Sequence, residues 1–201
     1  MFTLLYGLWK WIFRKDEYFI LILGLDNAGK TTYLEQTKTR FTKNYKALPP
    51  NKVTATVGLN IGKVDTLGVR LNFWDLGGQE ELQSLWDKYY AECHAIIYVI
   101  DASDRSRLAE SKAAFDQMIK SEHLIGVPLL ILANKQDIPD CMGVREVKPV
   151  FADSGDLIGR RDCLVMPICA LNGEGVEESI QWLTDCVLRN STIRPPKEDK
   201  E

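Results

Sequence analysis

The sequence predicts an α/β domain built on a mostly parallel sheet, with helices on both faces and one antiparallel hairpin at an edge. Three observations lead there. Continuous apolar runs recur along the chain, segments of helical spacing separate them, and one pair of extended stretches meets at a short turn. Strands alternating with helices form parallel sheets covered on both faces. In such sheets ligands bind beyond the carboxyl ends of the strands.

The run YFILILG, from Tyr18 to Gly24, is apolar throughout, as expected of a strand covered on both sides. A helix is predicted over Lys30 to Thr42. Leu59 to Asp75 has a different pattern, LNIGKVD and VRLNFWD joined by Thr66, Leu67 and Gly68, which is that of the edge hairpin. AIIYVID (Ala95 to Asp101), VPLLILANK (Val127 to Lys135) and CLVMPICA (Cys163 to Ala170) give the remaining strands. Helices are predicted over Leu108 to Ser121, Val144 to Phe151 and Val176 to Leu188. The chain divides into an amino-terminal amphipathic helix (1–17), one domain (18–190) and a flexible tail (191–201), since Arg194 to Glu201 are Pro-containing and charged.

Of the 201 residues, 45% are apolar and 26% charged, with 25 Lys plus Arg against 28 Asp plus Glu and a net charge of −3. This composition excludes disorder throughout and suits one soluble domain with short appendages. No apolar run reaches the roughly 18–20 residues of a bilayer span. The near-neutral charge speaks against nucleic acid as a partner. The five cysteines are odd in number and without a CxxC pair, and read as reduced thiols of a cytosolic protein. His94 and His123 are too far apart to suggest a histidine metal site.

Directly after the first strand, GLDNAGKTT places Gly24, Gly29, Lys30 and Thr31 in the pattern GxxxxGK[ST]. The glycines let backbone approach phosphates, and successive N–H groups at a helix start face the anion. Lys30 would reach the β- and γ-phosphates, and the Thr31 hydroxyl would bind Mg²⁺. ANKQD then selects the base. The Asp137 carboxylate can accept from the N1–H and amino group of guanine, which adenine lacks, and an unpaired buried acceptor costs about 1–3 kcal/mol. The Lys135 stem can lie against the base and Asn134 can tie neighbouring loops. Cys169, Ala170 and Leu171 follow the last strand, where the Ala170 N–H could donate to guanine O6. In DLGGQ, Asp75 can hold Mg²⁺ through water, the Gly78 N–H can contact a γ-phosphate, and Gln79 can orient the attacking water. Thr56 is the second candidate hydroxyl for Mg²⁺.

Together GLDNAGKTT, TVGLN, FWDLGGQE, LWDKYY and ANKQD resemble the small GTPases of the ADP-ribosylation factor family over almost the whole chain. The resemblance implies the P-loop small GTPase fold, GTP or GDP as ligand and Mg²⁺ as cofactor. It implies a nucleotide-binding set of Gly24, Asp26, Asn27, Ala28, Gly29, Lys30, Thr31, Thr32, Thr56, Asp75, Gly78, Asn134, Lys135, Asp137, Cys169, Ala170 and Leu171, with Thr31 and Thr56 on the metal and Gln79 catalytic. Leu59, Trp74 and Tyr89 match an effector-facing apolar triad, with Leu59 where the family usually has Phe. Glu81, Gln83 and Asp87 stand where classical members are often basic or polar, a departure bearing on exchange-factor and effector choice. Partners are then an exchange factor, a GTPase-activating protein and effectors, the chain itself being a monomer.

No arginine is evidently placed to act on the γ-phosphate from within the chain, and Asp26 would repel that region. Intrinsic hydrolysis is therefore expected to be slow, with an activating protein supplying the cation. A scaffold that binds GTP without turnover is the competing reading, against which Gln79 argues; a P-loop kinase is a second, disfavoured by NKQD and DLGGQ.

Phe2 to Lys15, FTLLYGLWKWIFRK, is aromatic-rich, with Phe2, Leu5, Trp9, Ile12 and Phe13 on one side of a helix. Such a helix can lie in a bilayer interface or cover the core. Met1-Phe2 excludes myristoylation, for which the family carries Gly, and leaves Met1 open to acetylation. The resemblance points to a membrane surface or a Golgi membrane receptor as the binding partner of this segment. It implies the cytoplasmic face of the Golgi or trans-Golgi network as the site of action, cycling with cytosol. It also implies a two-residue slide of the hairpin between nucleotide states, which preserves the side-chain facing.

Overall fold

The structure, a computed structural model, describes residues 15–197. The expected amino-terminal helix lies outside the described residues up to residue 14; Glu17, included in that segment by the sequence reading, already belongs to the first strand.

The strands are β1 (Glu17–Leu23), β2 (Leu59–Thr66), β3 (Val69–Leu76), β4 (Ala95–Asp101), β5 (Leu129–Asn134) and β6 (Cys163–Pro167). They form one sheet in the order β2-β3-β1-β4-β5-β6. Every pair is parallel except β2 with β3, as the sequence predicts. β5 starts at Leu129 rather than Val127 because Pro128 has no N–H for the ladder. β6 ends at Pro167, short of the predicted Ala170, and the chain then turns into a loop. The hairpin turn is tighter than predicted: Thr66 pairs with Val69, leaving only Leu67 (φ 46°) and Gly68 (φ 83°) at its tip. Two residues with positive φ match the twist of the flanking strands.

The principal helices are α1 (Lys30–Phe41), α2 (Glu80–Gln83), α3 (Asp87–Tyr90), α4 (Leu108–Ile119), α5 (Val144–Ala152), α6 (Gly155–Ile158) and α7 (Val176–Arg189). Side chains alternate across a strand, so β1 feeds two cores. Tyr18, Ile20 and Ile22 join Tyr33 and Leu34 of α1 and Ile180, Leu183 and Val187 of α7. Leu21 and Leu23 face Phe115 of α4 and Phe151 of α5. The Tyr33 and Ser179 hydroxyls, 2.8 Å apart, join α1 to α7 inside the first core. Among the described residues no helix is long and apolar enough to cross a membrane.

The expected looseness of the tail is corrected as far as Lys197. Arg194 donates to the carbonyl of Cys93 at 2.7 Å and to that of His123, and Lys197 pairs with Glu17 through backbone bonds of 3.0 and 3.2 Å. Between them His94 accepts from the Phe19 N–H through Nδ1 at 3.0 Å, so its proton sits on Nε2, facing the Pro195 carbonyl at 3.0 Å. Proline and charge gave a local signal of disorder, whereas a guanidinium with five donors can satisfy carbonyls left open at the sheet rim.

Candidate nucleotide site

The site lies where β1, β3, β5 and β6 end. Beyond β1 the chain turns through Gly24 at φ 133°, where a Cβ would sit 2.2 Å from the Val99 carbonyl oxygen, so only glycine fits. Gly29, at φ 94°, precedes α1, and a Cβ there would meet Asn134 Nδ2 at 2.3 Å. The loop between them wraps the Lys30 ammonium, which donates to the carbonyls of Gly24 (2.9 Å) and Leu25 (2.6 Å). Burial lowers the Lys30 pKa to about 8, against the opposing pull of Asp75 and Asp26. An anion beside it would restore a fully charged ammonium.

A polar cluster sits at the start of α1. The Thr31 and Thr56 hydroxyls are 2.8 Å apart, and Thr31 donates to Asp75 Oδ2 at 2.7 Å. The same oxygen accepts from Asn60 Nδ2 at 3.2 Å. Asp75 is fully buried, and burial raises its pKa above the usual carboxylate range despite these donors and Lys30. Its other oxygen, Oδ1, is buried without a partner, as is Gln79 Oε1. Two hydroxyls and an underused carboxylate form an oxygen donor set of the kind Mg²⁺ takes.

Gly78 packs flush against the phosphate loop, its absent Cβ falling 2.3–2.4 Å from atoms of Gly24, Leu25 and Asp26. The Gly77 carbonyl accepts from the Trp86 indole at 3.0 Å and the Gly78 carbonyl from Gln83 at 3.1 Å, which fixes this turn. Asp26, Asn27, Gly29, Lys30, Thr31, Thr32, Thr56, Gly78, Gln79 and Lys135 line one cleft of about 310 Å³. Gly29, Thr32, Asn134, Lys135, Asp137, Ala170 and Leu171 line an adjoining one of about 190 Å³. Pro50 borders both.

Asn134, 2% exposed, joins the two compartments. Its amide donates to the Ala28 carbonyl at 2.8 Å and accepts from the Ala170 N–H at 2.9 Å. The Ala170 N–H, expected to meet guanine O6, is therefore directed at Asn134 in this structure. Lys135, at φ 68°, has its ammonium on Asp101 at 2.6 Å, a partner the sequence reading missed. Asp137 is exposed, so the penalty for an unpaired acceptor applies once a base covers it. Its Oδ1 takes the Cys169 thiol at 3.1 Å.

Asp26 is not left to repel a phosphate. Arg107 donates to its carboxylate at 2.7 Å, and Glu110 holds the same guanidinium at 2.8 Å. Arg107 borders a separate crevice behind the loop, and among the described residues no arginine lines the 310 Å³ cleft. Arg107, Asn60 and Asp101 all escaped the sequence reading; for Asn60 the hairpin register opposite Asp75 was an available signal.

Leu59, Trp74 and Tyr89 each pack at the margin of the second core, and the Trp74 and Tyr89 rings lie 5.3 Å apart. Phe19, not singled out by sequence, extends the group, its ring 4.7 Å from Trp74.

Residues 5–187 match the model of the ADP-ribosylation factor family. ADP-ribosylation factor-related protein 1 of Homo sapiens is 63% identical over 198 residues, 98% of each chain. ADP-ribosylation factor-like protein 3 of Saccharomyces cerevisiae is 47% identical over the same span and the same shares. Among solved structures, the Arl6 BBS3 small GTPase of Trypanosoma brucei with the bound nucleotide analogue GppNp superposes with a TM-score of 0.75 at 30% identity, covering 86% of this chain and 98% of that one.

Proposed function

The chain belongs to the ADP-ribosylation factor family of small GTPases, GTP-hydrolysing guanine-nucleotide switches, and from that premise we propose that it is a membrane-recruited switch in Golgi and trans-Golgi vesicle trafficking. In this reading the phosphates of the nucleotide would occupy the larger cleft and its base the smaller. One observation supports this most: the loop around Lys30, the Thr31–Thr56–Asp75 cluster and the Asn134–Asp137 loop border two compartments joined through a single buried amide. The Trypanosoma brucei relative carries the nucleotide analogue GppNp, which supports a guanine nucleotide as the ligand here.

Thr31 and Thr56 would hold Mg²⁺, with Asp75 Oδ1 accepting from water in its shell. When bound, the ion neutralises charge on the phosphates. The 2.8 Å approach of the two hydroxyls is an arrangement closed over that position. Lys30 and the N–H groups at the start of α1 bind the phosphates, while Gln79, lining the same cleft, orients water against the terminal one. With no arginine of the described residues facing the cleft, that part of the chain alone holds the reacting charge weakly, which supports slow intrinsic hydrolysis and an activating protein that contributes the missing cation.

Residues 1–14 are the proposed membrane-contacting segment and the GTPase domain runs from β1 at Glu17 through the packed residues at Lys197, with Leu59, Trp74 and Tyr89 proposed to face effectors. The Golgi assignment rests on family resemblance and on the aromatic amino-terminal segment. Competition against a bound fluorescent guanine nucleotide tests the site: GDP and GTP displace it and ADP and ATP do not. Equal displacement by adenine nucleotides refutes it. Loss of Golgi localisation on deleting residues 1–11 tests the compartment.

A further inference from the structure

The connection from α1 to β2 runs from Thr42 to Gly58 and contains one 3₁₀ turn, Pro50–Lys52. Connections longer than about 12–15 residues are uncommon in compact domains and usually functional. This one is fixed at two places. At its far end Thr56 sits beside Thr31 and Asp75. Nearer α1, it is fixed by Glu35, which belongs to none of the nucleotide motifs.

Glu35 is 4% exposed, yet it is a carboxylate on a helix, and a buried charge needs partners. It finds them in the connection. One oxygen accepts from the Tyr45 hydroxyl at 2.8 Å and from the Leu48 N–H at 3.0 Å, and the other pairs with Lys38. The Lys38 ammonium also lies over the Tyr45 ring, 4.9 Å from its centre. Two residues beyond Leu48 the chain reaches Pro50, which walls both the phosphate and the base compartments.

We infer that Glu35 is a positioning residue for nucleotide retention: it pins Tyr45 and Leu48 so that Pro50 stays closed over the junction of the two compartments. This rests on the nucleotide placement proposed above. The two fixings differ in what they sense. The Thr56 contact lies among the oxygens proposed above to hold the metal, so metal and terminal phosphate would act on it directly, whereas the Glu35 contact is remote from them and made with other parts of the chain. Glu35 therefore retains GDP as well as GTP, and an exchange partner must displace the Tyr45–Leu48 segment to free either.

The test is release of fluorescent GDP and of a fluorescent non-hydrolysable GTP analogue from the full chain, alongside trypsin cutting at the exposed Lys43, Lys46 and Lys52. Hydrogen bonds to a charged group are worth about 1.5–3 kcal/mol, so E35A releases both nucleotides roughly tenfold faster or more, with faster cutting. Y45F, a smaller change on a half-buried residue, gives a few-fold effect on both. E35Q, which keeps an acceptor oxygen, restores most of the retention. T56A, by contrast, speeds release of the triphosphate analogue more than GDP. Wild-type release and cutting in E35A and Y45F overturn the inference, as does an effect confined to the triphosphate. If the wild-type chain took up no guanine nucleotide, the site assignment itself would fall. The anchor would then be judged on cutting alone, faster in E35A upholding it and unchanged overturning it.

Discussion

Replacing Asn134 by alanine removes a side chain that hydrogen-bonds to both the phosphate loop and the base loop. The change strips a partner from the Ala28 carbonyl and the Ala170 N–H, bonded at 2.8 and 2.9 Å. Ala170 is 2% exposed and Ala28 1%, so water does not readily replace the amide. Each buried group left unsatisfied costs about 1–3 kcal/mol, and partial relaxation puts the pair near 3 kcal/mol. A domain of this size shifts about 2–4 °C per kcal/mol, so unfolding should fall by roughly 6–12 °C. The assay is thermal unfolding without nucleotide and with saturating GDP. Asn134→Asp sharpens it: the acceptor for Ala170 remains, but an oxygen now faces the Ala28 carbonyl, and the loss should be at least as large. An N134A variant within about 1 °C of wild type would refute the idea that this amide holds the compartments together.

Gln79→Leu keeps guanine-nucleotide binding but lowers GTP hydrolysis on the order of 10²-fold, as expected when an attacking water loses its orientation; single-turnover hydrolysis with and without an activating protein reads it. Arg107→Ala frees the Asp26 carboxylate and weakens GTP relative to GDP, and adding Asp26→Asn restores the ratio. Because that pair is about a third exposed, unfolding temperature should move by less than the equivalent of about 1 kcal/mol. Burial lowers the His94 pKa, and the charges of Arg194 and Lys197 facing the ring push the same way. The unfolded chain then binds more protons than the folded one as pH falls through the ordinary histidine range. The stability from neutral His94 is thus present above that range and lost as pH falls toward the lowered folded value. Unfolding temperature measured against pH should show this acid slope, and His94→Gln should flatten it.

The sequence carried the parts of the site that local chemistry dictates. Gly24 and Gly29 stand where a Cβ would collide, and the strand preceding them and helix following them can be read from apolar spacing. Asp75 and Asn134 lie at the ends of strands whose pattern is equally plain, and Asp137 follows one of them. What remained hidden depends on residues distant along the chain. Arg107 meets Asp26 across 81 positions, and nothing near either residue announces the pairing. Glu35 reads as an ordinary helix-surface carboxylate until the connection folds back over it. Arg194 looks like part of a loose tail because the carbonyls that it caps belong to other segments. Pro128, by contrast, was a legible reason for β5 to begin late.

The strap from Arg194 to Lys197 gives the sheet a particular order of completion during synthesis. Its contacts with Tyr90, Glu92, Cys93 and His94 join residues made 101 to 105 positions apart, and its pairing with Glu17 spans almost the whole chain. Until Arg194 to Lys197 have been made, the rim where β1 begins lacks these partners, so closure of the first strand waits on residues far along the chain.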